Sequence, residues 1–435
     1  MIRIEEKFCP VSRPERVIQF GTGAFLRGFV DWMLQKMNDQ GLFCGNAVVV
    51  QSTPRGIAPQ LAAQKGLYTQ VLRGAEGEEA RVIDVLSRCI DLNSDSDAYF
   101  ALAQQKELRF IVSNTTEAGI EFCPEDRLEG FPNITFPAKL TALLYRRFQA
   151  GLEGFWILPC ELIDRNGEKL KEAVLSYAAL WELEEDFSRW VCEKNRFCCT
   201  LVDRIVTGFP REDPPRLEWQ DDILNVSEFY HLWVIEASGD LEREFPLIRS
   251  GLNVILTENS EPYRTRKVRI LNGAHTVMTS YGLLWGFDTV KECMDHEKMR
   301  DFVRGALTEE ILPTLSLPRE ELLSYTESIL CRFSNPYLKH RLSSISLNSV
   351  SKFKVRVLPS ILGYYEKTGC LPKNLICAFG FLIRLYRERT MPDDERICRM
   401  MREGTVKDVL ANKALWGRDC SFMTEEVLPY VEVSR

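Results

Sequence analysis

Three residues in one predicted helix carry the side chains that reduction of a carbonyl group needs. The stretch "RTRKVRILNGAHTVMTSYGLLWG" contains Lys267, Asn272 and His275. At about 100° per residue, Asn272 lies about 140° and His275 about 80° from Lys267, so all three share one side of the predicted helix. A buried lysine can exchange a proton with an alkoxide, and an asparagine amide can hold an oxygen that gains charge. The alternative is a solvated lysine, a capping asparagine and a core histidine.

A strand, a glycine turn and a helix are predicted near the amino terminus, in "RVIQFGTGAFLRGFVDWMLQKM". The turn is an incomplete G-x-G-x-x-G pattern, because Leu26 stands where the third glycine is expected. The N–H groups that open such a helix can bind a pyrophosphate, and Arg27 could add a positive charge. The alternative is a plain packing unit. The candidate cofactor-binding residues of the turn are Gly21, Thr22, Gly23, Ala24 and Phe25.

Two further strand ends supply candidate cofactor contacts. The second strand ends in "VVVQSTPRG", which offers Gln51 in place of the usual acidic ribose ligand. Arg55 could instead pair with a 2′-phosphate, so the sequence leaves NAD versus NADP open. In "SNTTEAG" we expect Asn114, Thr116 and Glu117 to contact the nicotinamide ribose, with a simple polar loop as the alternative.

Apolar strands that run into polar or glycine-bearing loops predict a parallel α/β sheet. After about residue 260 the pattern becomes mostly helical. We therefore predict an α/β protein with an N-terminal Rossmann-type parallel-sheet domain, residues 1–260, which binds the dinucleotide. A mostly α-helical substrate-binding domain is predicted over residues 261–435.

Composition limits the possible partners. The chain has 435 residues and a net charge of −7 with both signs interspersed, which argues against nucleic acid as a partner. No apolar run long enough for a membrane span and no signal-peptide pattern are present, so we expect a cytoplasmic protein. The 14 cysteines form no C-x-x-C pair and the four histidines no H-x-x-x-H pair, so we expect no metal site.

A basic segment in the helical part suggests an anionic substrate. In "CRFSNPYLKHRLSSISLNSVSKFKVRVLP" the candidate substrate-binding residues are Arg341, Asn348 and Lys352. A carboxylate accepts charge-assisted hydrogen bonds from such side chains. The alternative is a solvated basic helix face.

Taken in order along the chain, these motifs resemble the long-chain mannitol dehydrogenase family. The likeness rests on "FGTGAFLRGF", "SNTTEAG", "PCELIDRNG", "RKVRILNGAHT", "RFSNPYLKH" and "LNSVSKF", and runs from about residue 15 to beyond residue 360. It is most specific in K-x-x-x-x-N-x-x-H combined with G-x-G-x-F-x-R. The branch that it resembles most reduces D-tagaturonate to D-altronate with NADH.

The resemblance implies an NAD-dependent, metal-independent oxidoreductase whose two domains enclose the substrate. The family's general acid/base falls on Lys267, its oxyanion-stabilising asparagine on Asn272 and its substrate-positioning histidine on His275. The family's late basic residue falls on Lys352. Mannitol dehydrogenases carry a second oxyanion asparagine where this chain has Leu162, and Asn166 is a candidate substitute.

Other readings stay open at this point. Within the same chemistry they are a fructuronate reductase, a mannitol 2-dehydrogenase and a mannitol-1-phosphate 5-dehydrogenase. An alternative of a different class is a nucleotide-binding regulator without catalytic activity. It is disfavoured because the chain keeps Lys267, Asn272 and His275. The sequence does not determine the oligomeric state.

Overall fold

The computed structural model describes residues 2–53, 56–115 and 117–432, without the side chains of residues 117 and 118. The described residues fall into two compact units, one up to Ser260 and the other from Glu261. All described strands lie in the first unit. They are β1 Ile2–Arg3, β2 Glu15–Phe20, β3 Asn46–Gln51, β4 Tyr68–Gly74, β5 Gly77–Ile83, β6 Leu86–Asp91, β7 Phe110–Ser113, β8 Trp156–Pro159, β9 Arg196–Phe197, β10 Thr200–Asp203, β11 Val206–Gly208, β12 Trp219–Gln220, β13 Asn225–Ser227, β14 Leu232–Glu236 and β15 Val254–Thr257.

The first unit is built on a six-stranded parallel sheet in the order β6-β3-β2-β7-β8-β9. Its strands bury both faces, because consecutive residues such as Val17 and Ile18 of β2 enter different hydrophobic cores. This double burial explains why the strands read as continuous apolar runs rather than as alternating ones. The predicted Rossmann-type parallel-sheet domain is confirmed.

The chain reverses its direction across the sheet between β2 and β7, since β3 and β6 extend one side and β7, β8 and β9 the other. Ligands of doubly wound sheets bind at this switch point, outside the carboxyl ends of the strands. The helices of this unit are α1 Ile4–Lys7, α2 Ala24–Leu26, α3 Trp32–Asp39, α4 Ala58–Ala63, α5 Ser96–Ala101, α6 Phe136–Gln149, α7 Asn166–Leu180, α8 Glu185–Lys194 and α9 Asp240–Glu244. Short 3₁₀ helices span Leu102–Gln104, Glu117–Ile120 and Leu128–Gly130.

Three smaller sheets complete the first unit. They have the orders β11-β13-β4-β5, β10-β14-β15 and β1-β12. The antiparallel hairpin of β4 and β5 was not predicted, because three of the seven residues of β5, "GEEARVI", are charged and three are exposed.

The second unit is helical throughout its described residues, as predicted. Its helices are α10 Glu261–Arg266, α11 Gly273–Trp285, α12 Val290–Asp295, α13 Glu297–Gly305, α14 Arg319–Phe333, α15 Leu342–Ile345, α16 Ser349–Arg356, α17 Leu358–Thr368, α18 Lys373–Glu388, α19 Glu395–Glu403, α20 Val406–Ala411, α21 Lys413–Trp416 and α22 Thr424–Val431, with 3₁₀ turns at Leu312–Thr314 and Ser421–Met423. Helix α18 packs on both α11 and α22. Gly380 permits the close approach to α22, because a Cβ there would lie 2.4 Å from that of Tyr430.

Three helical segments have π geometry, namely Arg27–Asp31, Lys267–Asn272 and Ala306–Ile311. Each is continuous with the α-helices before and after it or with a following turn. Such segments are rare and often occur at functional sites. The first follows the glycine turn, and the second contains Lys267 and Asn272, two of the three candidate catalytic residues. None of the described helices is long and apolar enough to cross a lipid bilayer.

Candidate active site

The glycine turn follows β2 at the switch point of the sheet. Gly21 has a φ of 123°, which favours glycine, and its N–H donates to the Val50 carbonyl at 3.1 Å. A Cβ at Gly21 would lie 3.4 Å from the backbone oxygen of Asn114. A Cβ at Gly23, in contrast, would meet nothing within 4 Å. The N–H groups that open α2 at Ala24 thus adjoin an uncrowded glycine, as pyrophosphate binding requires.

Arg27 does not supply the free positive charge that the motif suggested. Its guanidinium is buried and donates hydrogen bonds to the backbone carbonyls of Thr22 (3.3 Å) and Ile223. Burial lowers the pKa of Arg27. The side chain therefore ties the turn to the loop before β13, and we correct its assignment from a phosphate ligand to a support of the turn.

At the end of β3, Gln51 caps a helix. Its Oε1 accepts a hydrogen bond from the Ala58 N–H at 3.0 Å, at the start of α4. This hydrogen bond occupies one lone pair of the Gln51 oxygen, and the NH₂ group has its own two donors. Arg55 and Thr116 lie outside the described residues, as does the side chain of Glu117.

Lys139 brings a positive charge to the same strand end, and no sequence motif predicts it there. Its Nζ donates to the Ser52 carbonyl at 2.8 Å, directly after β3. The side chain is buried, which lowers its pKa. Because Lys139 lies within α6, 87 positions after Ser52, only the folded chain places it there.

A buried carboxylate organises the ends of β7 and β8. Glu161 accepts hydrogen bonds from the Thr115 N–H at 2.9 Å and from the Ser113 hydroxyl at 3.1 Å. Asn114, between them, donates through Nδ2 to the Cys160 carbonyl at 2.9 Å. Burial raises the pKa of Glu161, and the hydrogen bonds from Thr115 and Ser113 oppose that shift. In the sequence, Glu161 stands out only as part of the "PCELIDRNG" motif, and its role in holding the loop is visible only in the fold.

Asn166 is not available as a second oxyanion ligand. Its Nδ2 donates to the carbonyl oxygens of Pro159 (2.9 Å) and Glu161 (3.1 Å), and its Oδ1 accepts from the Thr200 N–H. The side chain is 1% exposed, whereas that of Leu162 is 61% exposed. We therefore correct the suggestion that Asn166 substitutes for the missing asparagine.

Lys267 and Asn272 are the first and last residues of the second π-helical segment. A π-helix joins residues i and i+5 by a hydrogen bond, so these two lie one turn apart on nearly the same side. They are closer in direction than the α-helical estimate of about 140° indicates. Both are half-buried. The Asn272 carbonyl accepts a hydrogen bond from the Thr276 hydroxyl at 2.9 Å, which links the segment to α11.

His275 lies on the first turn of α11 and is buried. Its ring packs against Phe333 at a centroid distance of 4.4 Å and edge-on against His340 at 4.8 Å. Burial and the nearby Lys352 ammonium lower the pKa of His340. The Lys352 Nζ donates to the Ile345 carbonyl at 2.8 Å. The structure thus brings His275 and Lys352 to one region of the second unit, with His340 between them.

Arg341 and Asn348 are placed differently. Both residues are exposed. Asn348 adopts a left-handed conformation, φ 52°, before α16, and its N–H donates to the Pro392 carbonyl at 3.1 Å. Among the described residues, no side chain pairs with the Arg341 guanidinium. The structure shows neither of them in contact with His275.

Comparisons with known proteins agree with this architecture. A mannitol dehydrogenase Rossmann domain model matches residues 15–248, and a mannitol dehydrogenase C-terminal domain model matches residues 259–427. The chain belongs to the mannitol dehydrogenase family. Altronate oxidoreductase of Bacillus subtilis (strain 168) is 45% identical over 96% of this chain and 92% of that protein. That of Phocaeicola vulgatus is 40% identical over 95% and 92%.

Two solved dehydrogenase structures share the fold. Substrate-free D-sorbitol dehydrogenase aligns with a TM-score of 0.86 at 20% identity, covering 99% of this chain and 98% of that one. The ternary complex of Pseudomonas fluorescens mannitol 2-dehydrogenase with NAD and D-mannitol aligns with a TM-score of 0.68 at 20% identity, covering 98% and 92%. Membership in the mannitol dehydrogenase family makes the chain an NAD-dependent oxidoreductase acting on CH–OH groups, as predicted.

Proposed function

We propose that this mannitol dehydrogenase family member reduces the keto group of D-tagaturonate to give D-altronate, and runs in reverse when the product is in excess. The name of its relatives, altronate oxidoreductase, supports the choice of substrate. The observation that carries the chemistry is the single π-helical turn that joins Lys267 to Asn272 directly before His275. Those three side-chain types are what a keto group needs in order to accept a hydride and a proton.

The residues of the first unit fit a dinucleotide. The open backbone at Gly23 and the N–H groups that begin α2 would hold the pyrophosphate. The Gln51 amide and the Asn114 loop would face the two riboses. Thr116 and Glu117 stay part of the proposed set. NADH supplies the hydride when it is bound.

The candidate site residues of the second unit have separate roles in the proposed reaction. Lys267 delivers a proton to the oxygen of the former carbonyl, and the Asn272 amide donates a hydrogen bond to that oxygen as its charge grows. His275, held between Phe333 and His340, orients a neighbouring hydroxyl of the sugar acid. Lys352, and less directly Arg341 and Asn348, would contribute to binding of an anionic substrate.

Replacement of Lys267 tests the assignment of the general acid. We expect K267A to lower kcat for tagaturonate by roughly 10²–10⁴-fold, the usual size of a general acid–base contribution. The dissociation constant of NADH, followed by its fluorescence, should change little. K298A removes an exposed lysine of α13 and serves as the matched control. Near-normal turnover in K267A would refute the role.

A substrate panel separates the related activities. NADH consumption is measured with tagaturonate, fructuronate, fructose and fructose 6-phosphate, and repeated with NADPH. The proposal expects the highest kcat/KM with tagaturonate and NADH. A non-catalytic regulator would bind NADH and consume none of it with any of the four.

A further inference from the structure

Two basic side chains on one face of α16 border the region of His275. Lys352 and Arg356 are four residues apart, which places them next to each other along the helix. Arg356 reaches α11, where its Nη1 donates to the hydroxyl of Thr276 at 3.5 Å, directly after His275. Burial, and after it the charge of Lys352, lowers the pKa of His340. Together with His340, these side chains form a basic cluster around His275.

The cluster lacks a compensating acid. Within the described chain, no carboxylate is within ion-pair distance of Arg356 or Lys352. Burial lowers the pKa of Arg356, and burial together with the Arg356 charge lowers that of Lys352, with only Asp393 acting in the opposite direction. Half-buried cations that repel each other are costly unless an anion joins them.

Three other arginines of the second unit pair directly with carboxylates. Arg304 forms a bidentate ion pair with Glu327, and Arg266 pairs with Glu321 at 2.5 Å. Arg384 bonds Glu388 one turn on at 2.6 Å. Arg356, by contrast, has a single long hydrogen bond to a neutral hydroxyl, and most of its five N–H donors have no acceptor in the described protein.

We propose that Arg356 binds the carboxylate of the sugar-acid substrate, with Lys352 beside it, and makes the enzyme prefer anionic keto sugars to neutral ones. The inference rests on the proposed function and adds a specificity-determining residue to it. A guanidinium presents two parallel N–H groups to a carboxylate, which a lysine cannot do. A phosphate could use the same donors, so the test must separate the two anions.

The test compares R356M, R356K and the control K354M. Lys354 lies on the same helix, but its stem packs beside Gly417, so K354M removes an equal charge elsewhere. We expect R356M to raise KM for tagaturonate about 100-fold with a much smaller change in kcat, as loss of a bidentate charged contact implies. R356K should recover part of the loss and K354M should match the parent enzyme.

Binding measurements give a second readout. In the NAD complex, the affinity for D-altronate should fall about 100-fold in R356M, whereas that for the neutral alditol D-altritol should stay within about threefold. NADH affinity and the thermal midpoint should stay unchanged, which shows that the variant is folded. If fructose 6-phosphate loses activity in R356M while tagaturonate does not, the anion is a phosphate and the proposal for a carboxylate is wrong.

The outcomes separate this inference from the proposed function. If the parent enzyme does not reduce tagaturonate at all, the proposed function fails. If the parent reduces it and R356M keeps KM within about threefold, the function stands and the role of Arg356 is overturned. Equal losses in R356M and K354M would also overturn it, because a general charge effect would then explain both.

Discussion

Arg27 in the first unit and Arg356 in the second are both arginines whose pKa is lowered by burial, yet their surroundings differ. The Arg27 guanidinium donates to two backbone carbonyls, those of Thr22 and Ile223. Within the described part of the chain, Arg356 donates only to the Thr276 hydroxyl, at 3.5 Å. Proximity to a ligand site therefore does not make a charge available. What decides is whether the protein itself already supplies the acceptors.

The largest effect on stability is expected from the first of these arginines. R27M would leave two backbone carbonyls without their charged donor, so we expect a loss of roughly 3–5 kcal/mol in the free energy of unfolding. Urea unfolding measures it. NADH affinity of the folded variant should change by less than about tenfold, because Arg27 is not proposed to touch phosphate. If R27M has normal stability but binds NADH much more weakly, Arg27 is a cofactor ligand and not a structural residue.

The two arginines show which features of the molecule can be predicted from the sequence and which cannot. The glycine turn, the parallel strands and the K-x-x-x-x-N-x-x-H spacing are local patterns, and the confirmed fold follows from them. The Arg27 guanidinium donates a hydrogen bond to the Ile223 carbonyl, 196 positions further along the chain. No local sequence pattern predicts a contact over that separation.

The π-helical geometry of Lys267–Asn272 could not be predicted from the sequence either. The side-chain pattern of this segment fits an ordinary α-helix and does not distinguish a hydrogen bond to residue i+5 from one to residue i+4. The basic segment pointed to Lys352, Arg341 and Asn348 by composition. Arg356 was missed, because only the structure shows which cations in that segment lack an acid.

A pH-dependent effect of intermediate size tests the surroundings of Arg27. Asp31, one turn on, is fully buried and accepts a hydrogen bond from the Tyr68 hydroxyl at 3.2 Å, without an ion pair to Arg27. Burial raises its pKa from 3.8 to about 7, while Gln19, Tyr68 and Arg27 act to lower it. The native state therefore holds this proton more tightly than the unfolded state. The resulting stability is complete below about pH 4 and is lost as pH rises through about 7.

D31N removes this titration and isolates its contribution. Between about pH 5 and about pH 8, the unfolding free energy of D31N should gain roughly 2–3 kcal/mol relative to the parent protein. Urea unfolding of both proteins at several pH values measures the difference. A difference that is constant with pH would mean that Asp31 is ionised in the native state and that Arg27 compensates it, contrary to the geometry.

The smallest effect on stability is expected at the other arginine. Among the residues that the structure describes, R356M removes one long hydrogen bond, to Thr276, and no ion pair. Methionine keeps most of the apolar stem. The variant also removes the repulsion between the Arg356 and Lys352 charges, which stabilises the folded state. The free energy of unfolding should therefore change by less than about 1 kcal/mol. Urea unfolding, as for R27M, measures this change. A loss as large as that of R27M would make Arg356 a structural residue, since a guanidinium kept free for a substrate contributes little to the fold that holds it.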